Sequence, residues 1–258
     1  MQKLSVAIIA KNEAARIAAC LESVRGLADD VVVVISDSTD DTATLCRAHG
    51  ARVIEAQWHG FGSQKNLAVK ESRYDWVLCV DADEQVTPQL AASIRQALDA
   101  PSAAGFRLRR RNKFMGRYLR HGEGYPDWNL RLFDRRRGSW SNDEVHERVQ
   151  VDGIISSLAG DLRHDSADTL ERYLLKQNRY TSLAAEQALR QHTRVSAAHL
   201  IISPVTRFIK FYVFRLGFLD GIPGLVHITV GCFSSLLKYA KIREAQASSA
   251  RGEPPHED

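Results

Sequence analysis

The stretch Trp76-Val77-Leu78-Cys79-Val80-Asp81-Ala82-Asp83-Glu84 decides the fold of this chain. Residues 76–80 are an apolar run with two valines, short enough for a strand that is buried on both faces of a parallel sheet. Open α/β folds bind their ligands at the carboxyl edge of the sheet, where such a strand ends. The acids that follow the run therefore stand where a ligand site is expected.

Asp81 and Asp83 are two residues apart, so in an extended chain their side chains point to the same side. Two carboxylates held on one side repel each other unless a positive charge lies between them. A hard divalent cation such as Mg²⁺ or Mn²⁺ prefers oxygen ligands and can keep substrate phosphates in its remaining positions. The alternative is a strand end followed by a solvated acidic turn, and the pattern alone leaves both interpretations open.

Composition gives the broad class of the protein. A length of 258 residues fits one α/β domain, or one domain with a tail. The net charge is only +4, but basic residues cluster at 107–120, 131–137 and 207–215, which indicates a basic face for an anionic partner. The cysteines form no C-x-x-C pair, so buried free thiols in a reducing compartment are the simpler interpretation. The chain runs straight into a strand-like segment, and no secretory signal peptide is expected.

Strand and helix patterns alternate over the first hundred residues. Apolar runs at Leu4–Ala10 and Val31–Ile35 and a third short strand at Arg52–Glu55 precede the run described above, and each is followed by helical spacing. The helix after the third run is expected to begin with Ser63 as its cap. This alternation predicts a parallel, three-layer sheet. A G-x-G-x-x-G after the first strand and a G-K-[ST] loop are both missing from the sequence, which argues against dinucleotide-binding and P-loop folds.

Four motifs, in this order along the chain, resemble the N-terminal half of family 2 glycosyltransferases, which are nucleotide-sugar enzymes with the GT-A fold: Ile9–Glu13, Ser36–Thr42, Gly60–Asn66 and Val80–Asp83. The resemblance implies a GT-A type, Rossmann-like three-layer α/β/α domain with a mixed, mostly parallel sheet. It also implies a nucleotide-sugar site with a divalent metal, Mg²⁺ or Mn²⁺, against the donor diphosphate. The residues that match donor-binding positions are Ala10, Asn12, Glu13, Lys65, Asp81, Ala82 and Asp83. By the same resemblance Asp83 and Asp81 are the predicted metal ligands.

One motif departs from the family pattern. Relatives usually carry Asp-Ser-Gly-Ser-Thr-Asp after the second strand, whereas this chain has Ile35 in place of the first acid and Asp37 in place of the glycine. The leading acid generally helps to hold the uridine, and Asp37 is the residue that could replace it from a shifted turn. Aspartate visits the left-handed region more readily than most residues, so the change from glycine is tolerable.

The basic cluster at 107–120 has three interpretations: a solvated face, a nucleic-acid surface, or a surface for a phosphate-bearing acceptor. The glycosyltransferase motifs favour the acceptor, because an enzyme of this kind needs an acceptor surface beside its metal. The predicted acceptor-binding residues are Arg109, Arg117, Arg120 and Arg131. Arg131 could alternatively stabilise the leaving diphosphate or pair with a core acid.

Three further motifs resemble the lipopolysaccharide-core subgroup of family 2: Tyr-Pro-Asp ending at residue 127, Arg-Leu-Phe at 131–133 and Val-His-Glu at 145–147. An inverting transfer needs a carboxylate that takes the proton of the acceptor hydroxyl. By the resemblance Asp127 is the predicted base, and Glu147 and Glu144 are the alternatives. His146 is predicted to complete the metal shell, although a lone histidine is more often structural.

The last third of the chain has a different character. Residues 164–190 are helical in pattern, and residues 196–241 are strongly apolar but interleaved with Arg207, Lys210 and Arg215. A basic amphipathic segment with aromatics is typical of the membrane interface, and an apolar hairpin closing the core is the alternative. We therefore expect a GT-A domain over 1–195 (nucleotide-sugar half 1–100, acceptor half 101–195), a membrane-associating helical segment over 196–243 and a disordered tail over 244–258.

The resemblance implies an inverting hexosyltransferase that moves glucose from UDP-glucose onto the first heptose of the lipopolysaccharide inner core. Its partners would be a UDP-sugar, an anionic lipid-linked oligosaccharide and the cytoplasmic surface of a Gram-negative inner membrane, with no nucleic acid. One alternative is transfer to a polyprenyl phosphate, which is already an anion and needs no base. The alternative of another class is a non-catalytic basic protein that binds membranes or nucleic acid, against which the acids at 81–84 argue.

Overall fold

A computed structural model describes residues 2–141, 147–165, 169–193 and 195–251, the side chains of 249–251 excepted. The chain forms two compact units. The first contains the described residues of 1–112 and 127–165, and the second contains those of 113–126 and 166–258. The sequence analysis expected the boundary at residue 195. The second unit begins earlier because the helix at Leu170–Arg190 packs against the last helix of the chain.

The first hundred residues form the predicted alternation of strands and helices. The strands are β1 (Leu4–Ala10), β2 (Asp30–Ile35), β3 (Arg52–Glu55) and β4 (Trp76–Asp81), and the helices are α1 (Ile17–Val24), α2 (Thr42–Ala48), α3 (Phe61–Lys70) and α4 (Pro88–Asp99). The predicted bounds of β1 and β3 are confirmed to the residue. The predicted cap of α3 is wrong: the helix begins two residues before Ser63, because Gly60 takes a left-handed φ of +95° and starts it without a side-chain cap.

The remaining strands complete a mixed sheet. They are β5 (Glu84–Val86), β6 (Gly105–Phe114), β7 (Arg117–Tyr118), β8 (Asp127–Asp134), β9 (Gly138–Trp140), β10 (Val149–Val151) and β11 (Ile155–His164). The strand order is β3-β2-β1-β4-β8-β6-β11-β5, with β7 paired to β6, and β9 and β10 form a separate ladder. Since β8 is antiparallel to both β4 and β6, strands β1, β2, β3, β4, β6 and β11 share one direction. The predicted mixed, mostly parallel sheet is confirmed.

Buried apolar side chains lie on both faces of this sheet. On one face, Val6 and Ile8 of β1 pack with side chains of α1, α2 and α4, such as Ile17 and Leu90. On the other face, Ala7 belongs to a smaller cluster that includes residues of α3. Neighbouring residues of β1 thus point into opposite cores, as the period of a strand requires. The predicted three-layer α/β/α arrangement is confirmed.

The second unit is helical apart from β7 and the end of β6. It contains α5 (Leu170–Arg190), α6 (Ala197–Phe208), a π-helical continuation at Ile209–Phe214, a short 3₁₀ turn at Gly217–Asp220 and α7 (Gly221–Arg251). The expected tail at 244–258 is therefore helical as far as Arg251, and its remainder lies outside the described residues. Lys241 links α7 to α5 by donating to Asn178 O at 3.1 Å and to Thr181 Oγ1 at 2.9 Å.

The second unit combines paired charges with long apolar helices. Asp220 is buried and accepts hydrogen bonds from the backbone N–H groups of Arg120 and His121, both at 2.8 Å. Glu123 forms an ion pair with Arg207. Two stretches, Ala197–Phe214 and Gly217–Ser248, are long and apolar enough to cross a membrane by length and composition. This unit therefore pairs its interior charges while it carries long apolar helices.

Candidate active site

The carboxyl edge of the sheet holds a cavity of about 480 Å³. The order β2-β1-β4 brings the turns after these three strands together, as expected for parallel strands that share one direction. Six predicted donor-binding residues line the cavity: Ala10, Glu13, Lys65, Asp81, Ala82 and Asp83. Ser36, Trp58, Phe61 and His164, which the sequence analysis did not select, line it as well, together with Glu147.

Asn12 and Asp37 belong to the turns beside the cavity and not to its described lining. Asn12 takes a left-handed φ of +54° and joins two turns, since its N–H donates to Ser38 Oγ at 3.0 Å and its side-chain oxygen accepts from the N–H of Thr39 at 2.8 Å. Asp37 also takes the left-handed conformation expected for it, with φ +49°, and its carboxylate lies 3.8 Å from Lys11 Nζ. Both residues therefore shape the edge instead of facing the cavity.

The same two turns are joined by two more hydrogen bonds. The N–H of Glu13 donates to Thr42 Oγ1 at 2.8 Å, and the N–H of Ala14 donates to Asp40 Oδ2 at 3.0 Å. Asp40 in turn accepts from the Thr42 hydroxyl at 2.5 Å, and this bond lowers the pKa of its carboxyl. The two motifs that looked like separate binding segments in the sequence thus form one interlocked structure.

Asp81 lies in a cluster of buried charges. Its carboxylate accepts from Arg131 at 2.8 Å and lies 3.4 Å from the ammonium of Lys65. Burial alone would raise the pKa of Asp81, but the charges of Arg131 and Lys65 outweigh burial and hold the pKa well below its usual range. Arg131 also donates to Glu84 at 3.3 Å. Asp81 is therefore a fixed negative charge that the protein itself neutralises.

Arg131 reaches this position through an irregularity in the sheet. The pairing of β6 with β8 steps from Phe106 opposite Leu132 to Arg107 opposite Leu130, which leaves Arg131 as the extra residue. Such a bulge re-aims a side chain next to a site. Of the two alternatives for Arg131, the geometry favours pairing with buried acids, because the guanidinium is buried between Asp81 and Glu84.

Asp83 has a different partner. Its carboxylate lies 3.2 Å from Nε2 of His164, the last residue of β11. Burial would raise the pKa of Asp83, but the hydrogen bond and charge of His164 lower it. His164 Nδ1 lies 2.8 Å from the side-chain oxygen of Asn112, and Nε2 is the nitrogen that faces the carboxylate.

The Asp83–His164 pair fits a divalent cation. A carboxylate oxygen and an imidazole nitrogen are both suitable ligands, and Asn112 holds the other ring nitrogen as a partner of a metal-bound histidine does. Within the described residues, groups of three or more metal-ligating side chains are absent, so the protein would supply two ligands and leave positions for phosphates. The predicted ligand His146 lies outside the described residues. His164 was missed because its segment was interpreted as the start of a helix, although it ends an alternating run with Leu158 and Leu162.

The two predicted bases lie in different surroundings. Glu147 lines the cavity, and its carboxylate accepts from Lys65 at 3.0 Å. Asp127 begins β8 outside the described cavity lining, and its carboxylate accepts from Arg110 at 2.9 Å, from Asn129 at 3.0 Å and from Asn112 at 3.5 Å. Asp127 thus holds the amide that orients His164. The other alternative, Glu144, lies outside the described residues.

The predicted acceptor-binding arginines are divided between the two units. Arg131 and Arg109 belong to the first unit, and Arg109 lies 3.4 Å from Asp161 on the strand beside its own. Arg117 and Arg120 belong to the second unit, where Arg117 donates to the carbonyl oxygen of Leu219 at 3.0 Å. Each unit therefore carries part of the basic cluster that is continuous in the sequence.

Comparisons with known proteins show the family to which the chain belongs. A family model described as "Glycosyl transferase family 2" matches residues 5–156. An uncharacterized glycosyltransferase of Rickettsia felis is 31% identical over 96% of this chain and 92% of its own length. The lipopolysaccharide core biosynthesis glycosyltransferase LpsC of Rhizobium meliloti is 30% identical over 96% of this chain and 94% of its own length. Among solved structures, TarS 1–349 of S. aureus, crystallised with UDP-GlcNAc, is 13% identical with a TM-score of 0.49, covering 99% of this chain and 94% of that chain.

Proposed function

Because this chain belongs to glycosyl transferase family 2 and is therefore a nucleotide-sugar-dependent glycosyltransferase, we propose that it transfers glucose from UDP-glucose to an inner-core heptose of lipopolysaccharide. One observation carries the proposal: a single cavity contains an adjacent carboxylate and imidazole that suit a divalent cation, Asp83 and His164, and a carboxylate suited to be a base, Glu147. The assignment of the acceptor to the lipopolysaccharide core is supported by the likeness over nearly the whole chain to LpsC, a lipopolysaccharide core biosynthesis glycosyltransferase. Glucose from UDP-glucose is the donor that the family resemblance implies.

The donor side of the cavity is formed by residues before Glu84 together with His164 from the end of β11. Asp83 and His164 would hold Mg²⁺ or Mn²⁺ against the donor diphosphate. When bound, such a cation stabilises the negative charge that develops on the leaving UDP. Asp81 faces the same cavity with its charge already balanced by Arg131 and Lys65, so we assign it to orienting the donor and not to holding the metal.

Glu147 is the base that we propose on geometric grounds. The acceptor hydroxyl attacks the anomeric carbon from the side opposite the UDP, and its proton passes to the Glu147 carboxylate as the new bond forms. Lys65 bridges Glu147 and Asp81 at 3.0 and 3.4 Å, so one ammonium orients the base and the donor-side acid together. Asp127 is a positioning residue in this scheme, because its carboxylate already accepts from three donors.

The second unit supports a position on the cytoplasmic surface of the inner membrane. Its exposed side chains include many large apolar ones, among them Ile201, Phe214 and Ile222. Lys210 and Arg215 accompany this apolar face in the sequence and suit anionic lipid headgroups, whereas Arg207 is already paired with Glu123. An acceptor anchored in the same membrane would then diffuse in two dimensions with the enzyme.

The proposal is tested by incubating the full chain and Mn²⁺ with a panel of UDP- and GDP-sugars and with heptose-terminated lipopolysaccharide. Mass spectrometry should show one added hexose with UDP-glucose, and chelation should stop its appearance. A polyprenyl phosphate is the matched alternative acceptor. If hexose is transferred only to the polyprenyl phosphate, and Glu147→Gln keeps this activity, the lipid phosphate is the acceptor in place of the heptose. An anionic acceptor needs no base, so the variant would not affect its transfer.

A further inference from the structure

Trp58 and Phe61 form an aromatic pair on the wall of the cavity. Their ring centroids are 4.8 Å apart at an angle of 89°, and their residues are 40% and 53% exposed. In a T-shaped contact the edge of one ring meets the face of the other. The ring that makes contact through its edge therefore keeps both of its faces available. Two large aromatic residues that remain this exposed beside a cavity have unused stacking surface.

The backbone around the pair is fixed by the protein. Gln64, one turn into α3, is buried and donates its side-chain N–H to the carbonyl oxygen of Gln57. Gly60 takes the left-handed conformation that ends the turn and starts the helix with Phe61. The turn that carries Trp58 is therefore held in place before a ligand binds. This lowers the loss of conformational entropy that binding would cause.

The sheet order shows which part of a donor would meet these rings. The strands lie in the order β3-β2-β1-β4, and Trp58 follows β3 whereas Asp83 follows β4. Strands are about 4.8 Å apart, so β2 and β3 lie roughly 10 and 14 Å from β4. A nucleoside diphosphate whose phosphates lie at Asp83 extends its ribose along this edge. Its base then arrives at the β2 side of the cavity, whose lining combines Val34 and Ser36 with Trp58 and Phe61.

We infer that Trp58, together with Phe61, is the stacking platform for the nucleobase of the donor. The inference rests on the proposed function and adds to it the residues that hold the base. The transferred sugar is a less suitable partner, because its anomeric carbon must lie between the diphosphate at Asp83 and the carboxylate of Glu147. A flat aromatic face binds any base by stacking, so the platform contributes affinity and little choice between bases.

The test is a titration of the full chain with UMP in the absence of metal, followed by tryptophan fluorescence and calorimetry. Trp58→Ala should weaken UMP binding roughly 5- to 150-fold, the range for loss of one base–aromatic stack. Trp58→Phe should keep most of the affinity but lose the fluorescence quench. GMP should respond to Trp58→Ala in the same proportion as UMP.

Trp128 supplies a matched control. It is 41% exposed on β8 and does not belong to the cavity lining that the described residues form. Trp128→Ala and Trp128→Phe should leave UMP affinity and the quench unchanged, and Trp58→Ala should leave the binding of pyrophosphate with Mn²⁺ unchanged. Equal UMP affinity in wild type and Trp58→Ala would overturn the platform alone. A wild-type chain that binds neither UMP nor UDP would overturn the proposed function as well.

Discussion

The two units of the chain arrange their charged and apolar side chains in opposite ways. At the sheet edge of the first unit, Asp81, Asp83 and Glu147 line an open cavity, over a core that is apolar on both faces of the sheet. In the second unit, Asp220 is buried and large side chains such as Phe214 are exposed, at 78%. The first unit is suited to a charged soluble ligand, whereas the second is suited to an apolar surface. If this comparison is correct, each property can be removed without affecting the other.

The largest effect is expected for Asp83→Ala. Loss of the carboxylate removes one of the two proposed metal ligands, and a metal on the leaving group supplies several kcal/mol, so transfer should fall on the order of 10⁴-fold. Steady-state assays with UDP-glucose and Mn²⁺ measure this change. Liposome binding by the same variant should equal that of wild type, and a folded Asp83→Ala that keeps full activity in EDTA would refute the metal assignment.

The next effect separates the two carboxylates proposed as bases. Glu147→Gln keeps the shape and removes the charge, so kcat should fall ~10³-fold, within the range for a general base, while UDP-glucose affinity measured by calorimetry changes little. Asp127→Asn should lose less, because this residue acts through Asn112 and His164. The reverse ranking of the two variants would return the role of base to Asp127.

The third effect concerns stability within the first unit. Asp81→Asn removes a charge that Arg131 and Lys65 share, while Glu84 and Glu147 remain as their partners. The free energy of unfolding should therefore fall by about 2 kcal/mol, within the range for a hydrogen bond to a charged group. Urea denaturation at pH 7 measures the loss. The folded pKa of Asp81 is lowered, so its stabilisation is present above the unfolded pKa of about 4 and disappears as the pH falls through the folded pKa.

Asp83→Asn is the matched control for Asp81→Asn. Its partner His164 keeps its contact with Asn112, so the free energy of unfolding should change by about 1 kcal/mol or less. A similar loss of stability in both variants would show that the two acids play the same structural role. The proposed difference between Asp81 and Asp83 in their contribution to stability would then be refuted.

The smallest effect concerns the apolar face of the second unit. Ile222 is 70% exposed, and Ile222→Ser should weaken binding to anionic liposomes roughly tenfold if the side chain enters the bilayer. Ile154 of the first unit has the same exposure, 70%, and Ile154→Ser should leave co-sedimentation unchanged. Transfer to a soluble acceptor fragment should be unaffected in both. Equal sedimentation of wild type, Ile222→Ser and a chain truncated after residue 194 would favour the hairpin alternative.

Much of the fold could be predicted because its information is local. The run at Leu4–Ala10 becomes a strand with the expected bounds, since a buried parallel strand needs only a short apolar run between polar turns. Arg52–Glu55 also has the expected bounds, as a half-exposed strand at the edge of the sheet. The helix bounds were less certain, and α3 begins at Phe61 because of the conformation of Gly60. The boundary was expected at residue 195, before α5 was known to pack with α7. Packing between helices that are distant in the sequence leaves no local pattern from which to predict it.

The sequence by itself determined the α/β class, the carboxyl edge after Val80 and the acids Asp81 and Asp83 that stand there, because strand period and apolar runs follow from neighbouring residues. Only the tertiary structure decided how those acids differ. Arg131 reaches Asp81 through a bulge fifty positions later, and His164 reaches Asp83 from the far end of β11. Electrostatic partners act through space, so the environment of a charge depends on the folding of distant strands, and that cannot be read from the residues beside it.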